Sequence, residues 1–172
     1  VKKIEDTLFS TPYRLDPMEK IDEFRVGNIM ARVRMIFIFD IAKKLDALVC
    51  GTENKSEKYL AYFTRFGDEA SDIEPIQHLY KTQVRQLAKH LNVPNAIVMK
   101  EPSAGLWLGQ TDEQELGFSY DSADTVIEQL VDDGKSVEEI VIDGVSKEII
   151  KKVIARIESQ HFKHEVPYTF TI

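Results

Sequence analysis

The stretch Ala47-Leu48-Val49-Cys50-Gly51-Thr52-Glu53-Asn54-Lys55-Ser56-Glu57 decides the fold class. Its first four residues form a short apolar run that stops at Gly51. Such a run reads as a buried strand of a parallel sheet. A polar segment follows directly, and in open α/β sheets ligands bind beyond the carboxyl ends of the strands. A hydroxyl, an ammonium and a carboxylate in that segment suit a nucleotide, its phosphates and Mg²⁺. Mg²⁺ takes one or two carboxylates plus phosphate oxygens and water, so Glu57 alone is enough. On composition alone the same residues read more simply as a polar turn with a helix cap. The polar stretch runs from Gly51 to Pro75, which is too long for an idle connector and marks a candidate functional loop.

Upstream, Asp16 and Pro17 suit the cap and first turn of a helix that continues to about Lys44. Its apolar residues Ile29, Val33, Ile36, Phe37 and Ile41 recur at helical spacing. Around Met35 to Phe39 this helix is apolar on every side. That predicts burial on more than one face, one against a sheet and one against a second subunit. Downstream, helices are expected over 79–91, 94–99, 122–132, 136–141 and 146–160, with 100–120 irregular. The last helix carries Ile149, Ile150, Val153, Ile154 and Ile157 on one face, and Glu148 with Lys152 as an i,i+4 pair. One clear strand cannot make a sheet, so the order describes the second half of an α/β domain.

The 172 residues suit one domain, 1–172, able to bury roughly two thirds of its unfolded surface. With 22 basic and 29 acidic residues the net charge is -7, which argues against binding to nucleic-acid phosphates. The hydrophobic share of 43% and charged share of 30% are those of a globular protein. The longest strongly apolar run, Met35 to Phe39, is far short of the roughly 20 residues that span a membrane. Cys50 is the one cysteine, which suits a reducing compartment, the cytoplasm.

Further chemistry sits in the loops. Tyr80-Lys81-Thr82 opens a helix, where the exposed N–H groups and a lysine attract anions; a solvated lysine is the plainer alternative. Lys100 to Trp107, with Pro102 and Gly105, suits a mobile lid or an ordinary surface loop. His161 and His164 lack the converging partners of a metal site. Neither G-x-x-x-x-G-K-[ST] nor G-x-G-x-x-G occurs.

Taken together the loops are more specific. Six segments follow in register: Asn28-x-x-Ala31-Arg32-x-Arg34-Met35, Gly51-Thr52-x-Asn54-Lys55-Ser56-Glu57, Tyr62-Phe63-Thr64-x-Phe66-Gly67-Asp68, Pro75 with Leu79-Tyr80-Lys81-Thr82, Lys100-x-Pro102-Ser103-Ala104-Gly105-Leu106-Trp107 and Gln110-x-Asp112-Glu113-x-Glu115-Leu116-Gly117. They resemble ammonia-dependent NAD synthetase, an ATP pyrophosphatase with an adenine-nucleotide α-hydrolase-like, Rossmann-like parallel sheet. The resemblance implies conversion of deamido-NAD, ATP and ammonia into NAD, AMP and pyrophosphate through an adenylate. It implies that Glu57 binds Mg²⁺, and that Thr52, Lys81 and Ser103 contact ATP. It further implies that Arg32, Arg65, Asp72 and Lys163 bind deamido-NAD at a homodimer interface, and that 103–117 is a substrate-ordered lid. No protein nucleophile is needed, only positioning and charge neutralisation.

The sequence departs from that pattern in places. Arg65 stands where lysine is common, Ser103 where some members have threonine, Phe162 where many have histidine, and Ala61 where glycine is common. The family's S-G-G-x-D-S phosphate loop is absent, and the expectation is that these 172 residues are not catalytic alone. Competing readings are a non-catalytic dimerising module, or another ATP pyrophosphatase that amidates or thiolates a different acid.

Overall fold

The computed structural model describes residues 22–167 and Thr169. They fall into two compact units, one of residues 22–51, 64–73 and 105–109, the other of residues 52–63, 74–104 and the described part of 110–172.

The first unit is built on helix α1 (Glu23–Leu45). Asp22 caps it, its carboxylate accepting from the Arg25 N–H at 3.1 Å. Glu23 in the first turn and Lys43 and Lys44 in the last suit the helix dipole. Asp46 ends it in the left-handed region, φ 52°, with its N–H on the carbonyls of Ala42 and Lys43. The cap expected at Asp16 and Pro17 lies outside the described residues. Gly27 permits a close approach: a methyl group there would stand 2.9 Å from Leu106 Cδ1. Phe24 meets the Trp107 ring edge-on at 5.1 Å between centroids. The expected burial of α1 on several faces is not found within one chain. Only Gly27, Ala31 and Ala42 of this helix are buried, while Ile36 (59%), Phe37 (51%) and Ile41 (52%) are half exposed.

The strand expected over Ala47–Cys50 is also corrected. Among the described residues it is one parallel bridge, Cys50 to Ile73. Gly51 N–H donates to Ile73 O at 2.8 Å, and Asp72 and Ile73 both donate to Val49 O. The Val49 N–H is taken by Asp72 Oδ2 at 2.7 Å. That donor is spent on a side chain, so the ladder gains no further step on that side. Of the four apolar residues only Val49 is buried.

The second unit holds α2 (Lys55–Tyr59), α3 (Lys81–His90), α4 (Asn95–Val98), α5 (Asp112–Leu116), α6 (Tyr120–Ile127) and α7 (Lys147–Gln160). Its core joins Leu60, Tyr80, Phe118, Val126, Ile127 and Val153. As the spacing predicts, α7 buries Ile150, Val153 and Ile154, with Ile149 and Ile157 packed beside them. Ser146 caps it through the Ile149 N–H. The Glu148–Lys152 pair forms at 2.9 Å on its outer face.

Three expectations shift here. The helix expected over 122–132 starts at Tyr120 and widens into a π turn, Glu128–Asp132. In that turn Asp132 accepts from Lys55 Nζ at 2.5 Å and from the Tyr80 hydroxyl at 2.8 Å. The helix expected over 136–141 is one 3₁₀ turn, Val137–Glu139. The irregular 100–120 stretch contains α5, which Thr111 caps through the Gln114 N–H. No helix among the described residues is long and apolar enough to cross a membrane.

Two connections hold the loops around α2. Arg156 Nε donates to Leu60 O at 2.9 Å, and Lys163 Nζ to Ala61 O and Phe63 O at 2.9 and 2.7 Å. Ala61 has φ 46°, the region that favours glycine, which fits the glycine common at that position in the resembled family. Ahead of α2, Glu53 donates its N–H to Glu74 Oε2 at 3.1 Å and accepts from Gln77 Nε2 at 2.9 Å. Burial, reinforced by the charges of Glu74 and Glu57, pushes the Glu53 carboxyl up to about 7.

Two predictions follow from this packing. Ile127 is fully buried, so Ile127→Ala should cost about 2–5 kcal/mol in urea unfolding. The exposed Val141→Ala should stay within about 0.5 kcal/mol of wild type. Glu53 has a folded pKa above its usual 4.5, so the folded state holds a proton that the unfolded state has lost. Its contribution is present below pH 4.5 and declines as pH rises to about 7. The fall in urea midpoint between pH 5 and pH 8 should therefore be smaller in Glu53→Gln; an identical fall would refute the assignment.

Candidate functional site

In the second unit the site is built on two helix starts. Asn54 caps α2 reciprocally: its side chain accepts from the Glu57 N–H at 3.1 Å, and Glu57 Oε2 accepts from the Asn54 N–H at 3.1 Å. This fixes the Glu57 carboxylate against the first turn. Its other oxygen, Oε1, accepts from Lys81 Nζ at 2.8 Å, and both side chains are about four-fifths buried. Lys81 is the first residue of α3. Sequence reasoning singled out these two residues separately, and the fold brings them into contact.

A cation at a helix start opposes the dipole, so the placement of Lys81 needs compensation. Glu57 provides part of it. The Lys81 ammonium also lies 5.2 Å from the centre of the Tyr120 ring. The Tyr120 hydroxyl in turn donates to Asp112 Oδ2 at 3.0 Å. Burial raises the pKa of Asp112, and the Tyr120 hydrogen bond and the Lys81 charge oppose that rise. Burial raises Tyr120 as well, with Asp112 adding to it, so Tyr120 stays a neutral donor.

Beneath the pair lies a second network. The Lys81 N–H donates to Ser56 Oγ at 2.8 Å. Ser56 Oγ donates to Asp124 Oδ1 in a short hydrogen bond. Thr82 donates to Asp124 Oδ2 through its N–H at 2.9 Å and its hydroxyl at 2.8 Å. Ser56 and Thr82 lie within the Gly51–Glu57 and Leu79–Thr82 motifs. Asp124 carried no local signal, because it sits 42 residues further along on α6.

The other predicted residues are placed as follows. Thr52 is exposed in the loop before α2, and Ser103 is exposed in the segment before α5. The carbonyl of neighbouring Pro102 accepts from the Asp112 N–H at 3.0 Å. Lys163 lies against the Ala61 and Phe63 carbonyls, as described above.

In the first unit, Arg32 and Arg65 come together: Arg32 Nε donates to Arg65 O at 3.1 Å. The Arg65 guanidinium stacks 5.4 Å from the Phe66 ring centre. Asn28 Oδ1 accepts from Thr64 Oγ1 at 2.8 Å, tying the same loop to α1. The Asp72 carboxylate is engaged by the Val49 N–H. No group of three or more His, Cys, Asp or Glu side chains among the described residues is arranged to hold a metal ion.

Comparison with known proteins gives a consistent picture. The NH(3)-dependent NAD(+) synthetase of Pyrococcus furiosus is 45% identical over 168 residues, covering 97% of this chain and 63% of that protein. The enzyme of the same name from Fusobacterium nucleatum is 46% identical over 143 residues, covering 83% and 55%. The chain thus spans little more than half the length of the curated relatives it matches. Among solved structures, the NMN synthetase from Francisella tularensis superposes with a TM-score of 0.79 at 36% identity, over 99% of this chain and 64% of that one. The NH3-dependent NAD synthetase from Campylobacter jejuni superposes with a TM-score of 0.72 at 26% identity, over 99% and 63%. A family profile described as NAD synthase matches residues 2–167, and the chain belongs to that family.

Proposed function

We propose that the protein carrying this chain amidates deamido-NAD with ammonia at the expense of ATP, yielding NAD, AMP and pyrophosphate. A nicotinate carboxylate oxygen attacks the α-phosphorus, and pyrophosphate leaves. Ammonia then attacks the acyl carbon, loses a proton, and AMP leaves. The observation that carries this reading is the Glu57–Lys81 pair, set at 2.8 Å on two helix starts within a family of NAD synthases.

In this reading Lys81 places an ammonium against the triphosphate, and the hydroxyls of Thr52 and Ser103 bind ATP. The donor set at Glu57 fits Mg²⁺: it is a hard carboxylate oxygen beside the phosphate-binding lysine, with the remaining ligands supplied by phosphates and water. When bound, the cation neutralises charge on the triphosphate. Arg32, Arg65, Asp72 and Lys163 are assigned to deamido-NAD; the contact between Arg32 and Arg65 supports a shared role for those two. The half-exposed Ile36, Phe37 and Ile41 on α1 support a homodimer through that helix. The parallel bridge of Cys50 and Ile73 supports an adenine-nucleotide α-hydrolase-like parallel sheet. The single cysteine fits a cytoplasmic protein.

A second reading comes from the Francisella tularensis neighbour, which is named an NMN synthetase. For a product of that kind the acid would be nicotinate mononucleotide, without the adenylyl half.

The test is the intact mass of the natural protein, followed by AMP release with ATP, Mg²⁺, ammonium and either acid. NAD formation with deamido-NAD supports the first reading, faster turnover of the mononucleotide the second, and no AMP with either refutes both. Lys81→Met and Glu57→Gln should each lower kcat/KM for ATP by about 10²–10³-fold, the range for removing one preorganised charged contact. Retained activity in either variant would remove that residue from the site.

A further inference from the structure

Asp124 is 4% exposed and sits on α6 among Ala123, Val126 and Ile127, all fully buried. A carboxylate in such surroundings costs several kcal/mol unless hydrogen bonds replace its water. Asp124 has those bonds, and every one comes from a donor: the Ser56 hydroxyl, the Thr82 N–H and the Thr82 hydroxyl. The ionised form is the one these partners satisfy. Burial pushes its pKa up, and the three donors pull against that rise.

The positions of the donors matter more than their number. Ser56 immediately precedes Glu57, and Thr82 immediately follows Lys81. Each oxygen of Asp124 therefore grips the neighbour of one member of the pair. Ser56 closes the ring, since its hydroxyl accepts from the Lys81 N–H while donating to Asp124. Two of the first free N–H groups of α3 are thus satisfied from outside the helix. The residue at the cap position, Tyr80, has turned its hydroxyl to Asp132 at 2.8 Å and leaves that role open. The first turn of α3 also carries no acidic residue of its own. A buried carboxyl group from α6 supplies the cap, directly at the Thr82 N–H and through Ser56 at the Lys81 N–H.

We propose that Asp124 is the positioning residue of the Glu57–Lys81 pair, holding the starts of α2 and α3 in the register that sets the carboxylate against the ammonium. This rests on the reading above, in which that pair handles the cation and the phosphates of ATP. Asp124 touches neither ligand. It acts through Ser56 and Thr82, so its loss degrades the geometry of the pair and leaves the acid-binding residues alone.

The test uses Asp124→Asn in the natural protein. An asparagine keeps the shape but loses the charge and one acceptor oxygen, and its amide group must face either the Thr82 N–H, a donor only, or the Ser56 hydroxyl, which already accepts from the Lys81 N–H. The half-saturating Mg²⁺ concentration should rise about 10-fold and kcat/KM for ATP fall about 10- to 100-fold, the range for partners that orient a ligating side chain. The KM for deamido-NAD should change less than about 2-fold, because its assigned residues lie outside this network. General destabilisation would lower the active fraction equally for all substrates and leave the half-saturation points where they are; that pattern overturns the proposal. In a Lys81→Met background, Asp124→Asn should cost less than about 2-fold further, whereas multiplying losses would show independent action and overturn it.

Amide hydrogen exchange reads the same clasp without any activity. The Lys81 and Thr82 amides should exchange at least about 10-fold faster in Asp124→Asn, since the acceptor of Thr82 loses its charge and Ser56, the acceptor of Lys81, loses its charged anchor. Unchanged exchange overturns the proposal even if the synthetase reading stands. A wild-type protein that makes no NAD defeats the synthetase reading, and exchange then decides the clasp by itself. If Asp124→Asn fails to fold, Thr82→Val removes one donor only and should shift Mg²⁺ half-saturation and the Thr82 amide in the same direction by a smaller factor; no shift in either overturns the assignment.

Discussion

A lysine at the first position of a helix faces the positive end of the dipole, and the largely buried Lys81 is stabilised there by the negative charge that meets it. Glu57 meets the ammonium and Asp124 meets the peptide groups behind it. Both anions come from elements distant in sequence, so α2, α3 and α6 must converge for the lysine to stand where it does. The apolar core of the second unit makes that convergence possible. Leu60 follows α2, Tyr80 precedes α3, and Ala123, Val126 and Ile127 lie on α6, all in one buried cluster. The hydrophobic contacts bring the helices together without direction, and the hydrogen bonds of Asp124 set their register.

The same division recurs at the loop after α2. Ala61 takes a backbone conformation that L residues seldom adopt, and the surrounding carbonyls accept from Arg156 and Lys163. Cations from the end of the chain hold the C-terminal side of α2, while the capping box and Asp124 hold its start. A helix of five residues has little stability of its own. Its position, and with it that of Glu57, is imposed by these partners.

Much of this was legible in the residues themselves. The spacing of Ile150, Val153 and Ile154 predicts the buried face of α7, and that face is buried. Gly51 to Glu57 and Tyr80 to Thr82 announce polar segments, and Glu57 of the first meets Lys81 of the second. The strand at 47–50 was not legible in the same way. Its apolar composition describes a tendency to be buried, but a ladder also needs free donors, and Asp72 takes the one on Val49. The long helix α1 shows the opposite limit. Its apolar residues at Ile36, Phe37 and Ile41 signal a need for cover, and composition does not say whether that cover comes from the same chain.

What the sequence determined by itself was therefore local, the helix periodicity and the polar loops, together with the family that the order and spacing of its motifs indicate. The periodicity and the loops follow from interactions between residues within a turn or two of one another. The tertiary structure alone decided that Glu57 and Lys81 form a pair, that Asp124 underlies it, and that Val49 spends its donor on a side chain. Those outcomes join residues 23 to 68 positions apart, and no periodicity in a chain records which distant polar groups burial will force to satisfy one another.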